Sequence, residues 1–293
     1  MSDRPAAPVD PRTDWGLPAP GGMPPVAALD EVTTRVLAPN PSPMTLDGTN
    51  TYLLAAPASG VAVVVDPGPE DVEHLRRVEA ALGALDAEVG LLVVTHHHHD
   101  HAAAAAGWSL HFGATVAAAD RELAGPDGRL LADGDVVDVA GLALEVVATP
   151  GHTADHVSLR TPTGAVLTGD HVLGRGTSVV AHPDGNLAAY LHSLRRTIAL
   201  GPDALYPGHG PELTVDAQAV LRYYAEHRAF RQAQLVAALD EGPATAAQLV
   251  ARIYADVDRR LWPAAEASTR AALELLHARG EIAWHDGVAT VLP

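Results

Sequence analysis

The sequence predicts an α/β protein with layered sheets flanked by helices, followed by a small C-terminal domain. Apolar strand-like segments alternate with helix-like segments as far as residue 240, an order typical of sheets covered by helices. Several of these strands are followed directly by residue types that bind metals. Strands are predicted at 61–65, 91–95, 115–118, 142–148, 157–160, 165–168 and 204–206, and helices at 71–82, 102–107, 187–200 and 216–240.

The C-terminal part of the chain has a different pattern. Thr245 and Gln248 form a capping box that predicts the start of one helix, and Pro263 favours the first turn of a second. Asp286-Gly287 predicts the type I′ turn of a final hairpin. The order helix, helix, hairpin predicts a winged-helix-like domain. The predicted domains are a Pro-rich arm at 1–25, disordered or loosely wrapped, a catalytic domain at 26–215, and a connecting helix with the winged-helix-like domain at 216–293.

Composition excludes several classes of chemistry. The chain has 293 residues, of which 47% are hydrophobic, enough to bury a core and a small second domain. It contains no cysteine, which excludes disulfides and thiol nucleophiles, and no lysine, which excludes a Schiff base. The net charge of −17 disfavours loose binding of polyanions. No apolar run reaches membrane-spanning length, so we expect a cytoplasmic protein without a membrane partner.

A histidine-rich segment follows the strand predicted at 91–95. Residues two apart in extended backbone face the same way, so His96 and His98 can bind one metal ion. Asp100 and His101 are adjacent and diverge, so they can bind a second ion beside it. The alternative is a solvated polar turn in which Asp100 caps the helix that follows.

Four further ligand-type residues each follow an apolar run and have Gly or Pro beside them. They are Asp66, His152, Asp170 and His209. Gly and Pro allow sharp turns there, and residues at successive strand ends converge on one edge of a sheet. The ordered set therefore favours a metal site over a polar turn.

These motifs resemble those of the metallo-β-lactamase fold superfamily and occur in the same order as in that family. The resemblance extends from about Asn40 to Gly210. The resemblance implies an αββα sandwich with a glyoxalase II-like dinuclear site. It implies that one metal ion is bound by His96, His98 and His152, and the other by Asp100, His101 and His209. Asp170 would bridge the two ions, and Asp66 would hydrogen-bond to a ligand without binding a metal itself. Within the superfamily, the chain resembles the lactamase-beta-like group with a C-terminal winged helix. Some members of that group are endoribonucleases, and related sequences are acyl-carrier thioesterases.

The resemblance also predicts the cofactors and the mechanism. Two divalent ions are expected, zinc first, with iron or manganese as alternatives. A hydroxide bridging them would attack the substrate, with Asp100 and Asp170 as the catalytic carboxylates. An antibiotic β-lactamase is not expected, because Asp170 occupies the bridging position and no cysteine ligand exists.

Other residues near the motifs are weaker candidates. Asn50 is expected at the mouth of the site, and His171 and Thr177 on the loop after Asp170. Arg175, on the same loop, is a candidate for binding an anionic substrate group, with a solvated arginine as the alternative.

Two pairs of polar residues flank the predicted ligands. His97 and His99 are expected to point away from the metals. Asp155 and His156 are expected either to orient ligands or to hydrogen-bond to nearby loops.

The predicted activity is hydrolysis of a small ester or thioester, and the alternative is cleavage of single-stranded RNA. A non-catalytic binding protein is disfavoured by the complete ligand set. Asp170 and His209 are 39 positions apart, too few for a large inserted nuclease domain. From Glu226 onward, the chain contains seven arginines and nine acidic residues. This acidic balance disfavours nucleic-acid binding, because phosphates bind to basic surfaces. The C-terminal domain is expected to pack on the catalytic domain or on a second subunit of a homodimer.

Overall fold

The computed structural model describes residues 6–255 and 257–292. A seven-stranded sheet has the order β1-β2-β3-β4-β5-β6-β7, and a five-stranded sheet the order β12-β11-β10-β9-β8. The first comprises β1 (Val26–Ala28), β2 (Thr33–Leu37), β3 (Asn50–Leu54), β4 (Val61–Val65), β5 (Glu88–Val93), β6 (Thr115–Ala118) and β7 (Arg129–Leu130). The second comprises β8 (Val136–Val139), β9 (Leu142–Ala148), β10 (Val157–Arg160), β11 (Ala165–Gly169) and β12 (Ala204–Pro207).

Helices cover the outer faces of the two sheets. They are α1 (Val72–Ala84), α2 (His99–Ala102), α3 (Ala105–Phe112), α4 (Arg121–Ala124), α5 (Leu187–Leu200) and α6 (Ala217–Leu239). The three longest of these helices each begin at a polar N-cap residue: Asp71 for α1, Asn186 for α5 and Asp216 for α6. The side chain of each cap accepts a hydrogen bond from a backbone N–H in the first turn of its helix.

The core lies in three hydrophobic layers, because successive strand residues point to opposite faces. Leu54 of β3 packs between the two sheets with Leu144 of β9, whereas Leu53 packs outward under α1 with Val78. On the other side, Leu205 of β12 packs under α5 and α6. The order helix, sheet, sheet, helix is the predicted αββα sandwich.

The C-terminal segment folds as predicted. It contains α7 (Ala246–Ile253), α8 (Trp262–Ala278), and a sheet of β13 (Ala244–Thr245), β15 (Val288–Val291) and β14 (Ile282–His285). The Thr245–Gln248 capping box forms, and Asp286 and Gly287 both have positive φ, as a type I′ turn requires. One hydrophobic cluster joins α5, α6, α7 and α8, so this segment packs on the catalytic part of the chain.

Some sequence predictions of the fold were wrong. The helix expected at 102–107 is divided into α2 and α3, because Gly68 accepts a hydrogen bond from Ala104 N and donates one to His101 O. The strands β1, β2, β3, β7, β8 and β13 were not predicted. In β2, Arg35 is 1% exposed and forms a salt bridge with Glu212. This buried charged residue interrupts the apolar pattern that would predict a strand.

The described part of the N-terminal arm has a fixed contact with the catalytic part. A short 3-10 helix spans Pro11–Asp14, and its Arg12 is 5% exposed. Arg12 donates hydrogen bonds to Leu173 O at 2.9 Å and Gly176 O at 2.7 Å. These contacts anchor a segment whose composition predicts disorder or loose wrapping. In residues 6–255 and 257–292, no helix combines the length and apolar character needed to cross a bilayer.

Candidate metal centre

The ligand-type residues are brought together by the ends of the strands. Asp66 follows β4, His152 follows β9, and Asp170 and His209 follow the parallel neighbours β11 and β12. Gly208 allows the loop after β12 to approach Asp170 and His101 closely. A Cβ at this position would lie 2.7 Å from the His101 ring and 2.8 Å from Asp170 Oδ1. The predicted convergence of strand ends is present, but the strands belong to two sheets and not to one: β4 lies in the seven-stranded sheet, and β9, β11 and β12 lie in the five-stranded sheet.

Three histidines form the first cluster. His98 Nδ1 lies 3.1 Å from His96 Nε2 and 3.0 Å from His152 Nε2. These atoms and an oxygen of Asp170 all lie within 4.8 Å of one another. Ligands of a tetrahedral ion bound at about 2.0–2.1 Å are separated by about 3.3 Å, so the spacing suits a shared metal ion.

Asp100, His101 and His209 form the second cluster. His209 Nε2 lies 3.1 Å from both His101 Nε2 and Asp100 Oδ2. Asp100 does not cap a helix: it lies within α2, whose N-cap residue is His98. The alternative of a polar capping turn was therefore wrong.

Asp170 lies between the two clusters. Its Oδ2 is 3.5 Å from His152 Nε2, and its Oδ1 is 3.5 Å from both His101 Nε2 and His209 Nε2. Oδ1 is buried without a hydrogen-bond partner in the described part of the chain. A buried, unpartnered carboxylate oxygen facing imidazole nitrogens is the arrangement that a bound cation would satisfy. The residues present thus fit a pair of divalent ions.

Several of the predicted ligands form a hydrogen bond through the ring nitrogen that faces away from the clusters, an arrangement that is usual in metal sites. His152 Nδ1 lies 2.6 Å from Val179 O, and His209 Nδ1 lies 3.1 Å from Gly48 O. Asp66 Oδ2 lies 2.8 Å from His101 Nδ1, and the same carboxylate accepts hydrogen bonds from Thr95 N and Oγ1. The role expected for Asp66, supporting a ligand, agrees with this position.

The electrostatics of the two clusters also favour a bound cation. Burial lowers the pKa of His96 well below its usual range and that of His98 to about 4, which leaves their ring nitrogens free to bind a cation. Burial would raise the pKa of Asp170, but His209 and His101 hold it well below the usual value. Burial lowers the pKa of His101, yet Asp170 and Asp66 together raise it well above normal. The charge around His101 therefore favours an additional cation.

The flanking pairs have separate roles. His97 and His99 are exposed, and His97 Nδ1 lies 2.9 Å from Asp155 Oδ1, away from the two clusters. Asp155 thus contacts a loop histidine and not a predicted ligand. By contrast, His156 Nε2 accepts a hydrogen bond from Asp170 N at 3.0 Å, so His156 orients the central carboxylate. His97 and His98 also form an exposed group with Asp184.

Two of the predicted substrate contacts lie away from the mouth of the site. Asn50 is fully buried, and its Nδ2 donates hydrogen bonds to Pro207 O and Gly210 O, both at 2.8 Å. It therefore holds the His209 loop. His171 is also fully buried, and burial lowers its pKa to about 3. Asn50 was expected at the mouth of the site and is instead enclosed by the loop that carries His209. His171 lies on the loop after Asp170, as expected, and its ring packs against His156 and Tyr190.

Arg175 and Thr177 line a cavity of about 290 Å³ beside His152 and Asp170. The far wall comes from α6 and the C-terminal segment and includes Arg228, Arg231 and Tyr254. None of these three residues was predicted from the sequence. Their one sequence signal is the spacing of three between Arg228 and Arg231, which places both on one face of a helix.

Comparisons with known proteins agree with this fold. The family model described as Metallo-beta-lactamase superfamily matches residues 44–209, and the model described as Beta-lactamase associated winged helix domain matches residues 245–288. The chain belongs to the metallo-beta-lactamase superfamily and carries a C-terminal winged helix domain of the kind associated with it.

Individual relatives extend the comparison. The Beta-lactamase-like protein 2 homolog of Drosophila melanogaster is 32% identical over 287 residues, covering 89% of this chain and 92% of that protein. A protein of Aspergillus fumigatus named Atrochrysone carboxyl ACP thioesterase is 32% identical over 253 residues, covering 79% and 76%. A crystal structure of a metallo-beta-lactamase family protein from Thermus thermophilus superposes with a TM-score of 0.77 at 25% identity, covering 90% of this chain and 100% of that one. Family and relatives together support a hydrolase.

Proposed function

We propose that this protein is a dinuclear metal-dependent hydrolase of a small ester or thioester. The observation that carries the proposal is the position of Asp170, whose two oxygens face the two ligand clusters separately. His96, His98 and His152 would hold one ion and Asp100, His101 and His209 the other, with Asp170 shared. Zinc suits this set of nitrogen and oxygen donors, and iron or manganese are alternatives.

Divalent ions in such a site lower the pKa of bound water towards ~7 and polarise a substrate carbonyl. The protein's own contribution is to position the reactants. The Asp100 side chain is 31% exposed, and although burial would raise its pKa, His209 holds that pKa at about 2. As a partly exposed, ionised carboxylate, Asp100 can accept a hydrogen bond from water and orient it. Asp170 remains ionised and holds the two clusters at a fixed separation.

The cavity beside the site supports a small substrate. Its volume of about 290 Å³ is at the lower end for small-molecule pockets, and its apolar lining includes Leu173, Leu261 and Ala264. Single-stranded RNA would need a basic channel along its backbone, whereas the chain carries a net charge of −17. The thioesterase name of one relative also supports an acyl substrate.

A side-by-side turnover experiment tests the proposal. The zinc-loaded protein is assayed with a panel of acyl thioesters and esters and with a fluorogenic single-stranded RNA. We expect thioester or ester hydrolysis that a chelator abolishes and zinc restores. Cleavage of RNA without turnover of any acyl compound would replace this proposal with the endoribonuclease alternative.

A further inference from the structure

Two arginines of α6 share a cavity with the metal-ligand clusters. Arg228 and Arg231 line the same cavity of about 290 Å³ as His152 and Asp170. They are three positions apart on one helix, which places their side chains on the same face. A molecule that fills this cavity can therefore contact both arginines as well as His152 and Asp170.

Arg228 is held directly behind the loop that orients His152. It is 7% exposed, and its Nη2 donates a hydrogen bond to Ser178 O. The next carbonyl in the chain, Val179 O, contacts His152 Nδ1 at 2.6 Å. The Arg228 guanidinium also lies over the Tyr190 ring, 4.9 Å from its centre. Two adjacent peptide groups thus connect this arginine to a predicted metal ligand.

Neither arginine is neutralised by a carboxylate in residues 6–255 and 257–292. Arg228 Nε is buried without a hydrogen-bond partner. Arg231 contacts the neutral groups His227 and Gln234 and lies 4.5 Å from the centre of the Tyr254 ring. The chain has 36 acidic and 19 basic residues, so acidic partners are abundant elsewhere. A buried cation without a counter-charge, such as Arg228, is strongly unfavourable, and an anionic ligand beside it would remove that cost.

The surroundings make this wall of the cavity positive. Burial, followed by the charges of Arg228, Arg231 and Arg12, lowers the pKa of His227 to about 4. His227 lines the same cavity and is therefore neutral at physiological pH. The wall carries positive charge that an anionic group would compensate.

We propose that Arg228 and Arg231 form a subsite for an anionic group, a carboxylate or a phosphate, at the end of the substrate's acyl chain. This inference rests on the proposed hydrolase function. The scissile carbonyl would lie at Asp170 and His152, the apolar lining would contact the hydrocarbon, and the two guanidinium groups would bind the terminal anion. Arginine suits this role, because its planar donors match carboxylate and phosphate oxygens.

Turnover by the metal-loaded, full-length protein provides the first test. Three thioesters of N-acetylcysteamine with equal chain length are compared: hexanoyl, adipyl with its terminal carboxylate, and 6-phosphohexanoyl. We expect at least one anionic substrate to exceed hexanoyl about tenfold in kcat/KM, mainly through a lower KM. Arg231→Gln should remove that preference by raising the KM of the anionic thioesters towards that of hexanoyl. The matched control is Arg222→Gln, an exposed arginine of the same helix, which should keep the preference.

Binding of non-hydrolysable analogues provides the second test. The corresponding thioethers, with a terminal methyl, carboxylate or phosphate, are titrated calorimetrically into the same proteins. An anion that bound the metal ions instead would keep its advantage in Arg231→Gln, and this result would overturn the subsite. Equal affinity of the three thioethers for the wild type would also overturn it. Arg228→Lys, which retains the buried charge, should lose several-fold in anion affinity while its thermal unfolding stays cooperative.

The two proposals fail in different ways. Equal hydrolysis of hexanoyl and both anionic thioesters would leave the hydrolase standing and remove the subsite. Arginine-dependent binding of an anionic thioether without turnover of any acyl compound would leave the subsite standing and remove the esterase assignment.

Discussion

The carboxylate of Asp66 holds the ring of His101 from the side opposite the metal-ligand cluster. Asp66 Oδ2 lies 2.8 Å from His101 Nδ1, whereas His101 Nε2 faces His209 at 3.1 Å. Asp66 itself has a φ of 54°, which is unusual for a residue other than glycine. A carboxylate in this position fixes the tautomer and the orientation of a ligand histidine.

We therefore expect Asp66→Asn to weaken binding of the second metal ion by about 10–100-fold, as loss of such support usually does. Metal affinity is measured by competition with a chromogenic chelator. The matched control is Asp71→Asn, because Asp71 caps α1 and asparagine caps helices equally well. Unchanged affinity in Asp66→Asn would show that this contact does not orient a ligand.

Asp170→Ala should reduce turnover by orders of magnitude and lower the metal content, since Asp170 faces both clusters. The wild type should contain close to two ions per chain by elemental analysis. His99→Ala, an exposed change on α2, should retain both metal and activity. A wild-type content of one ion or less after zinc supplementation would contradict the dinuclear site. Metal loss in His99→Ala would contradict the assignment of His96 and His98, and not His99, as ligands.

His74 should make the fold sensitive to mild acid. It is fully buried, its Nε2 lies 2.8 Å from Thr51 Oγ1, and burial lowers its pKa to about 4 from 6.5. The charged groups that influence it most are Asp71, which opposes the shift, and Arg77, which adds to it. Between these two pKa values the unfolded chain binds a proton that the folded chain does not. The free energy of unfolding should therefore fall as pH drops from about 6.5 towards 4, by up to about 1.4 kcal/mol per unit from this group.

Urea unfolding between pH 7.5 and 5 of the wild type and His74→Gln measures this effect. The variant should be less stable at pH 7.5, because it loses a buried contact, but its stability should decline less with acid. His192→Gln, an exposed change on α5, should follow the wild type. Parallel curves for wild type and His74→Gln would exclude His74 as an acid-sensitive group.

Arg12→Ala should destabilise the protein by about 2 kcal/mol, because it leaves the buried Leu173 carbonyl without its charged donor and also removes the part-buried hydrogen bond to Gly176 O. It should also raise the KM, since the Leu173 and Gly176 carbonyls belong to the loop that lines the cavity. Urea unfolding and steady-state kinetics measure the two effects. Arg222→Ala, which removes an exposed arginine, should change neither, and an unaltered KM in Arg12→Ala would separate the arm from the cavity.

Local sequence rules predicted the fold well where interactions are local. The alternation of side chains in extended backbone placed His96 and His98 together, and their ring nitrogens are 3.1 Å apart. Capping and turn chemistry predicted α7 and the final hairpin because those motifs depend on residues a few positions apart. The ligand roles themselves stay predictions until metal is measured.

Contacts between distant segments could not be predicted in this way. Arg12 binds carbonyls more than 160 positions away, and Arg228 meets His152 only through the loop at Ser178. The break between α2 and α3 depends on Gly68, which belongs to the loop after β4. A local pattern in the sequence cannot predict such contacts, because they depend on how the two sheets and their helices pack.

The anchoring of Arg12 bears on how far this protein can be shortened. A protein trimmed to residues 44–209 and 245–288, the limits of the two family matches, would retain all seven predicted metal ligands. It would lack Arg12, the buried Arg35 and the whole of α6. Such a fragment would keep its metal-binding residues but lose one wall of the cavity, so metal content alone would be a misleading measure of its integrity.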